Sequence, residues 1–128
     1  PRDIEAGQCV LVTRHDRAKE TVALDDLETA IPRKLDEVRK GLFDKATENR
    51  EKRTYVCRTT DEIISALAEK GDGFVKAMWC GDAACEEAVK EKTGVGSRCM
   101  PLVQETVADT CVCCGKPAKK LVYWGKAY

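Results

Sequence analysis

The sequence predicts an α/β fold, a small α/β sandwich carrying a four-cysteine zinc site, preceded by a β-hairpin and a long connecting helix. Three observations carry this reading. After residue 54 short β-rich runs alternate with amphipathic helical stretches, the signature of sheet and helix layers packed on one core. Before it, two extended runs flank a polar turn and lead into an extended helical periodicity. Between and beyond the later elements stand Cys80-Gly-Asp-Ala-Ala-Cys85 and Cys111-Val-Cys113-Cys114-Gly-Lys, two close cysteine groups able to tie distant segments to one metal ion.

The elements follow in order. Gln8–Arg14 and Glu20–Leu24, separated by His15-Asp16-Arg17-Ala18-Lys19, make the hairpin. Asp25 with Glu28 resembles a capping box, and Leu27, Ile31, Leu35, Val38, Leu42 and Ala46 recur at helical spacing to about Arg53. Pro32 lies inside that helix, removing one backbone donor, and predicts a break or kink near Ile31. Tyr55–Arg58 reads as a strand. Thr59 and Glu62 form a second capping box for a helix over 60–70, closed by Gly71. Phe74–Trp79 is a strand running into Cys80; Asp82 caps a helix containing Cys85, Ala88 and Val89 and ending at Gly94. Arg98–Val103 and Lys120–Trp124 complete the strands.

Composition narrows the function. The 128 residues suffice for one domain with a genuine core, and 43% of them are hydrophobic. The 22 Lys and Arg balance 22 Asp and Glu, so no global field draws the chain to nucleic acid or membrane. The basic residues between Arg33 and Arg53 are interleaved with acids, as on a solvated, internally paired helix face. No apolar run spans a bilayer and no signal peptide precedes the hairpin. With no such leader, and with cysteines clustered instead of evenly spaced, the eight thiols read as reduced and metal-binding. The chain opens at Pro1 directly on strand-like sequence, as a piece of a longer protein would.

Zinc takes four thiolates tetrahedrally, and a site closed by four protein sulfurs leaves no position for water chemistry. The chemistry therefore points to architecture. Cys80 and Cys85 chelate from a strand end and a helix start, Cys111 and Cys114 from one turn, with glycines after Cys80 and Cys114 for the tight backbone. Cys113 competes for the fourth position. Cys9, Cys57 and Cys99 stand alone and fit core packing; His15 fits a solvated turn, and Trp79 and Trp124 fit the core. Neither a catalytic triad nor a Gly-rich phosphate loop is present.

Several segments closely resemble prolyl-tRNA synthetase of the archaeal and eukaryotic type. They are Gly-Gln-Cys-Val-Leu-Val-Thr-Arg (7–14), Leu27 to Leu35 with its Ile-Pro-Arg, Trp79-Cys-Gly-Asp-Ala-Ala-Cys-Glu-Glu (79–87), Ser-Arg-Cys-Met-Pro (97–101), Cys-Gly-Lys-Pro-Ala-Lys (114–119) and the terminal Gly-Lys-Ala-Tyr (125–128). The resemblance implies a cytoplasmic, homodimeric class II ligase that activates proline with ATP and Mg and charges proline tRNA. It implies residues 1–26 as the end of the anticodon-binding domain, 27–53 as the connecting helix and 54–128 as the C-terminal zinc-binding domain. The family's zinc cysteines correspond to Cys80, Cys85, Cys111 and Cys114, and the terminal Tyr128 is implied to reach toward the catalytic site of the parent. The class II motifs for ATP and proline are absent from this chain, which is expected to be inactive alone and to serve as a structural and docking domain. The alternative is a free-standing zinc-knuckle module that binds RNA or protein.

Overall fold

The structure, a computed structural model, describes residues 2–127 and divides into two compact units, Pro1–Asn49 and Arg50–Tyr128.

The first unit begins with a single helical turn, α1 (Arg2–Glu5), where the sequence predicts only extended chain. The hairpin follows as β1 (Gln8–Val12) and β2 (Lys19–Ala23), antiparallel with Val10 opposite Thr21. Its turn is held by side chains: Asp16 accepts from the Thr13 hydroxyl and, at 3.0 Å, from the Ala18 N–H, while Arg17 takes a positive φ of 64°. Asp in such a turn mimics a backbone carbonyl, and these bonds hold its carboxyl below the usual range, the Thr13 bond first and the Ala18 bond second.

A 3-10 turn (Leu24–Asp26) leads into α2 (Leu27–Lys52). It occupies the place of the Asp25–Glu28 capping box, and no side chain caps it. The break expected at Pro32 is absent, for α2 runs unbroken through it. Pro32 is the sixth helical residue, so only the first turn lies upstream and a single interior hydrogen bond is lost. The interleaved charges pair as their spacing suggests: Arg33 to Glu37 at 2.8 Å, Lys34 to Glu37 at 2.7 Å and Lys40 to Asp44 at 3.0 Å. Arg33 and Lys34 also clasp Glu20 of β2, each at 2.5 Å. Only Ala30 of α2 is buried, and Leu35 and Phe43 stand exposed.

The second unit is a two-layer α/β sandwich, as predicted. Its elements are β3 (Thr54–Val56), α3 (Thr60–Lys70), β4 (Phe74–Trp79), α4 (Ala83–Thr93), β5 (Gly96–Cys99) and β6 (Lys120–Gly125). The strand order is β3-β4-β6-β5, with β3 parallel to β4 and β6 antiparallel to both β4 and β5. The last strand thus inserts between two strands laid down earlier. Thr59 caps α3 by accepting from the Glu62 N–H at 3.2 Å, and Glu62 bonds back to the Arg58 N–H at 2.7 Å. Both helices cover one sheet face, where Ile63, Leu67 and Val89 meet Tyr55, Val75, Ala77, Val122 and Trp124. β5 starts earlier than predicted, at Gly96 opposite the end of β6 at Gly125, and stops at Cys99, shortly before Pro101, which brings no N–H to a ladder. Cys57 is core, as expected; Cys99, expected to be core as well, is exposed on the edge strand. Trp124 is fully buried, and Trp79 is half-buried beneath the Lys120 ammonium at 5.4 Å. Among the described residues no helix is long and apolar enough to cross a membrane. Tyr128 lies outside the described residues; Lys126, two residues before it, pairs with Asp72 at 3.0 Å.

Candidate metal centre

The first pair of thiols is placed by the junction of β4 and α4. Cys80 directly follows β4, and Gly81, at φ +97°, turns the chain where an L side chain would be strained. Asp82 then caps α4, its carboxylate accepting from the Ala84 N–H at 3.0 Å and its carbonyl from the Cys85 N–H at 3.0 Å. Cys85 therefore sits on the first turn, near the positive end of the helix dipole. The Trp79 indole N–H donates to the Asp82 carbonyl at 3.1 Å and braces the turn from below. Cys80, Trp79 and Asp82 thus act as one folded unit.

The second pair comes from the loop before β6. The Cys111 N–H donates to the Lys116 carbonyl at 2.8 Å and the Gly115 N–H to the Cys111 carbonyl at 3.0 Å, with Gly115 at φ +69°. A bridge between Thr110 and Pro117 closes the stem. The Val112 N–H donates to the Met78 carbonyl at 2.9 Å and fastens this turn to β4, two residues before Cys80. Met78, Leu121, Ala118, Cys85 and Cys111 form a small apolar cluster beneath the thiols.

These two turns bring Cys80, Cys85, Cys111 and Cys114 together, all four sulfurs within 4.8 Å of one another and those of Cys80 and Cys114 at 3.9 Å. Four thiolates at about 2.3 Å from a zinc ion stand about 3.8 Å apart by tetrahedral geometry. The donor set therefore fits zinc in number, chemistry and spacing. Cys113, the rival for the fourth position, is not in this group; it packs half-buried against the apolar clusters. Backbone donors also suit thiolates. Burial pushes the Cys111 thiol up, but the N–H groups of Cys114, Cys113 and Cys80 outweigh it and bring its pKa to about 7. Burial, reinforced by the neighbouring thiols of Cys114 and Cys80, raises Cys85, so Cys85 keeps its proton until a cation replaces it.

Two partners of the site were not singled out from sequence: the Trp79 indole bracing Asp82, and Lys120, which stretches over Trp79 toward Gly81. The signal for both was an aromatic directly before a knuckle cysteine, paired across strands with a lysine. His15, expected to be solvated, is instead four-fifths covered and rests on Gly41 of α2.

Comparison with known proteins decides the family. A family model described as "Prolyl-tRNA synthetase, C-terminal" matches residues 60–128, which contain all four gathered cysteines. This chain belongs to the prolyl-tRNA synthetase family. It is 55% identical over its whole length to the proline–tRNA ligase of Lachnoclostridium phytofermentans and 53% identical to that of Clostridium novyi, covering 27% of each. The crystal structure of Cryptosporidium parvum prolyl-tRNA synthetase complexed with L-proline and AMP superposes with a TM-score of 0.88 at 32% identity, over 100% of this chain and 27% of that one. The same enzyme complexed with halofuginone and AMPPNP gives 0.87. The chain thus spans about a quarter of the length of its prolyl-tRNA synthetase relatives and corresponds to their C-terminal domain.

Proposed function

We propose that this chain is the zinc-organised structural and docking domain of a proline–tRNA ligase. The parent activates proline with ATP and Mg, joins it to proline tRNA, and works as a cytoplasmic homodimer. The observation that carries the reading is the closed set of four thiols at the β4–α4 junction and the 111–114 turn. Four protein sulfurs fill a zinc ion's tetrahedron, so Cys80, Cys85, Cys111 and Cys114 would hold it and the ion would brace the fold without touching substrate. A structural zinc can contribute on the order of 10 kcal/mol to folding.

The docking role is supported by the segment after β5, where Met100, Leu102 and Val103 are apolar and exposed, as residues that meet the remainder of a longer protein are. In that protein residues 1–26 close the anticodon-binding domain, 27–53 connect it, and 54–128 form the zinc domain. Tyr128 orders the catalytic site of that protein without doing chemistry. Deleting Lys126–Tyr128 from the full-length ligase is expected to slow proline activation; unchanged kinetics would refute that role.

Elemental analysis of protein prepared without chelator tests the zinc reading. About one zinc per chain is expected, retained by Cys113→Ser and lost by Cys114→Ser; the reverse pattern would move the ligand to Cys113. This chain alone is expected to give no proline-dependent ATP–pyrophosphate exchange and only weak, salt-sensitive tRNA binding. Tight tRNA binding at physiological salt would instead favour a free-standing RNA-binding module.

A further inference from the structure

The four gathered thiols are chemically alike but not equally reachable. Cys85 and Cys111 are buried, at 8% and 3% exposure, in one apolar cluster with Met78, Ala118 and Leu121. Cys114 is exposed and Cys80 half-exposed, and these two face each other with sulfurs 3.9 Å apart. They are also the two cysteines followed by a positive-φ glycine, Gly81 and Gly115, so each sits on a tight surface turn. An oxidant from solvent meets Cys114 first, and the nearest reachable thiol is Cys80.

We infer that Cys80 and Cys114 form a peroxide-sensitive pair whose oxidation to a disulfide opens the four-thiolate site. The inference rests on the zinc reading above. The Cys114 thiolate attacks one oxygen of hydrogen peroxide and the O–O bond breaks. The sulfur is oxidised to a sulfenic acid, and the departing oxygen leaves as water after taking one proton. The Cys80 thiolate then attacks the Cys114 sulfur and displaces its hydroxyl, which takes a second proton and leaves as a second water. Two thiolates have lost two electrons in total and the peroxide has gained them. The sulfurs close from 3.9 Å to the bonded separation of about 2.05 Å. Two thiolates, Cys85 and Cys111, remain for the metal, half of what a closed zinc site uses, and zinc leaves.

The 111–114 turn then stays tied to the end of β4 through the Cys80–Cys114 disulfide and the Val112 N–H to Met78 bond, while Cys85 at the start of α4 loses the link that the metal would give it to Cys111. The unit thereby acquires a redox-dependent stability, restored when a thiol reductant cleaves the disulfide and zinc returns.

The experiment treats the zinc-loaded full-length protein with graded hydrogen peroxide, blocks free thiols by alkylation, and maps disulfides by mass spectrometry while a chromogenic chelator reads released zinc. The expected result is that the Cys80–Cys114 disulfide forms first, that one zinc is lost for each such bond, and that dithiothreitol with added zinc reverses both. Cys113→Ser, which leaves all four ligands, is expected to behave like the wild type. A first disulfide that joins Cys85 to Cys113 or any other pair, sulfinic acid without a disulfide, or zinc retained after the Cys80–Cys114 bond has formed would each overturn the inference. Metal content measured before oxidation separates this failure from failure of the zinc reading itself.

Discussion

The imidazole of His15 lies directly against the backbone of Gly41: a methyl group added to Gly41 would stand 2.2 Å from His15 Cδ2 and 2.6 Å from Nε2. The hairpin turn and the middle of α2 are therefore fitted to each other through one missing side chain. Nδ1 of the same ring is buried without a hydrogen-bond partner among the described residues, and Nε2 approaches Asp16 at 3.4 Å.

Gly41→Ala sets two effects against each other. Within a helix the change by itself gains about 1 kcal/mol, whereas overfilling a packed contact costs about 1–3 kcal/mol. Since the clash falls along one whole edge of a rigid ring, on Cδ2, Nε2 and Cγ together, the net effect is expected to be destabilising by about 1 kcal/mol. In a His15→Ala background the same substitution is expected to stabilise, because the space is then free. Urea titrations of the four proteins in this double-mutant cycle decide it; equal effects in both backgrounds would show that the contact carries no energy.

This contact also marks where sequence reading stops. The metal centre was legible because Cys80 with Cys85 and Cys111 with Cys114 are local chelates whose spacing reports their own turns. Capping at Thr59 and Asp82 and the helix ends at Gly71 and Gly94 were legible for the same reason. What depended on partners distant in sequence was not. The side chain of His15 is polar and stands in a polar turn, and nothing local announces Gly41. Cys99 looks like a core residue until the strand order puts it on an edge. Pro32 reads as a break only if it stands in a helix interior, and the 3-10 turn before α2 places it near the helix start instead. The insertion of β6 between β4 and β5 has no local signature at all.

Gly81 connects the backbone to metal affinity. At φ +97° only glycine is unstrained, and a side chain there would also press on the Lys120 ammonium at 3.1 Å. Lys120 can swing away, so the backbone strain dominates. Gly81→Ala is expected to cost about 1–3 kcal/mol of stability and to weaken zinc binding in competition with a chelator. Gly96→Ala is the control: no atom lies within 4 Å of the added methyl and the backbone is not in the positive-φ region, so its effect is expected to stay within about 0.5 kcal/mol. Equal losses in the two variants would detach Gly81 from the metal site.

The metal-free protein is expected to carry a pH signature of the same turns. Cys111 is brought from 9.0 to about 7 because, against the opposing effect of burial, three backbone N–H groups favour its thiolate. A group whose pKa is lower folded than unfolded stabilises the fold fully above the unfolded value and loses that contribution as pH falls through the folded one. Stability of the metal-free form is therefore expected to rise from pH about 7 to about 9. Cys85 and Cys57 act in the opposite sense: burial first, then the neighbouring thiols of Cys114 and Cys80, holds Cys85 up, and burial first, then the Glu62 charge, holds Cys57 up. Their contributions are therefore complete below the unfolded value and are lost as pH rises beyond it. Together they place a maximum near pH 9. Denaturation midpoints of chelator-treated protein across this range test the expectation, and Cys111→Ser is expected to flatten the rising limb while leaving the decline above it. A rising limb unchanged by Cys111→Ser would show that the N–H groups around that sulfur do not stabilise its thiolate.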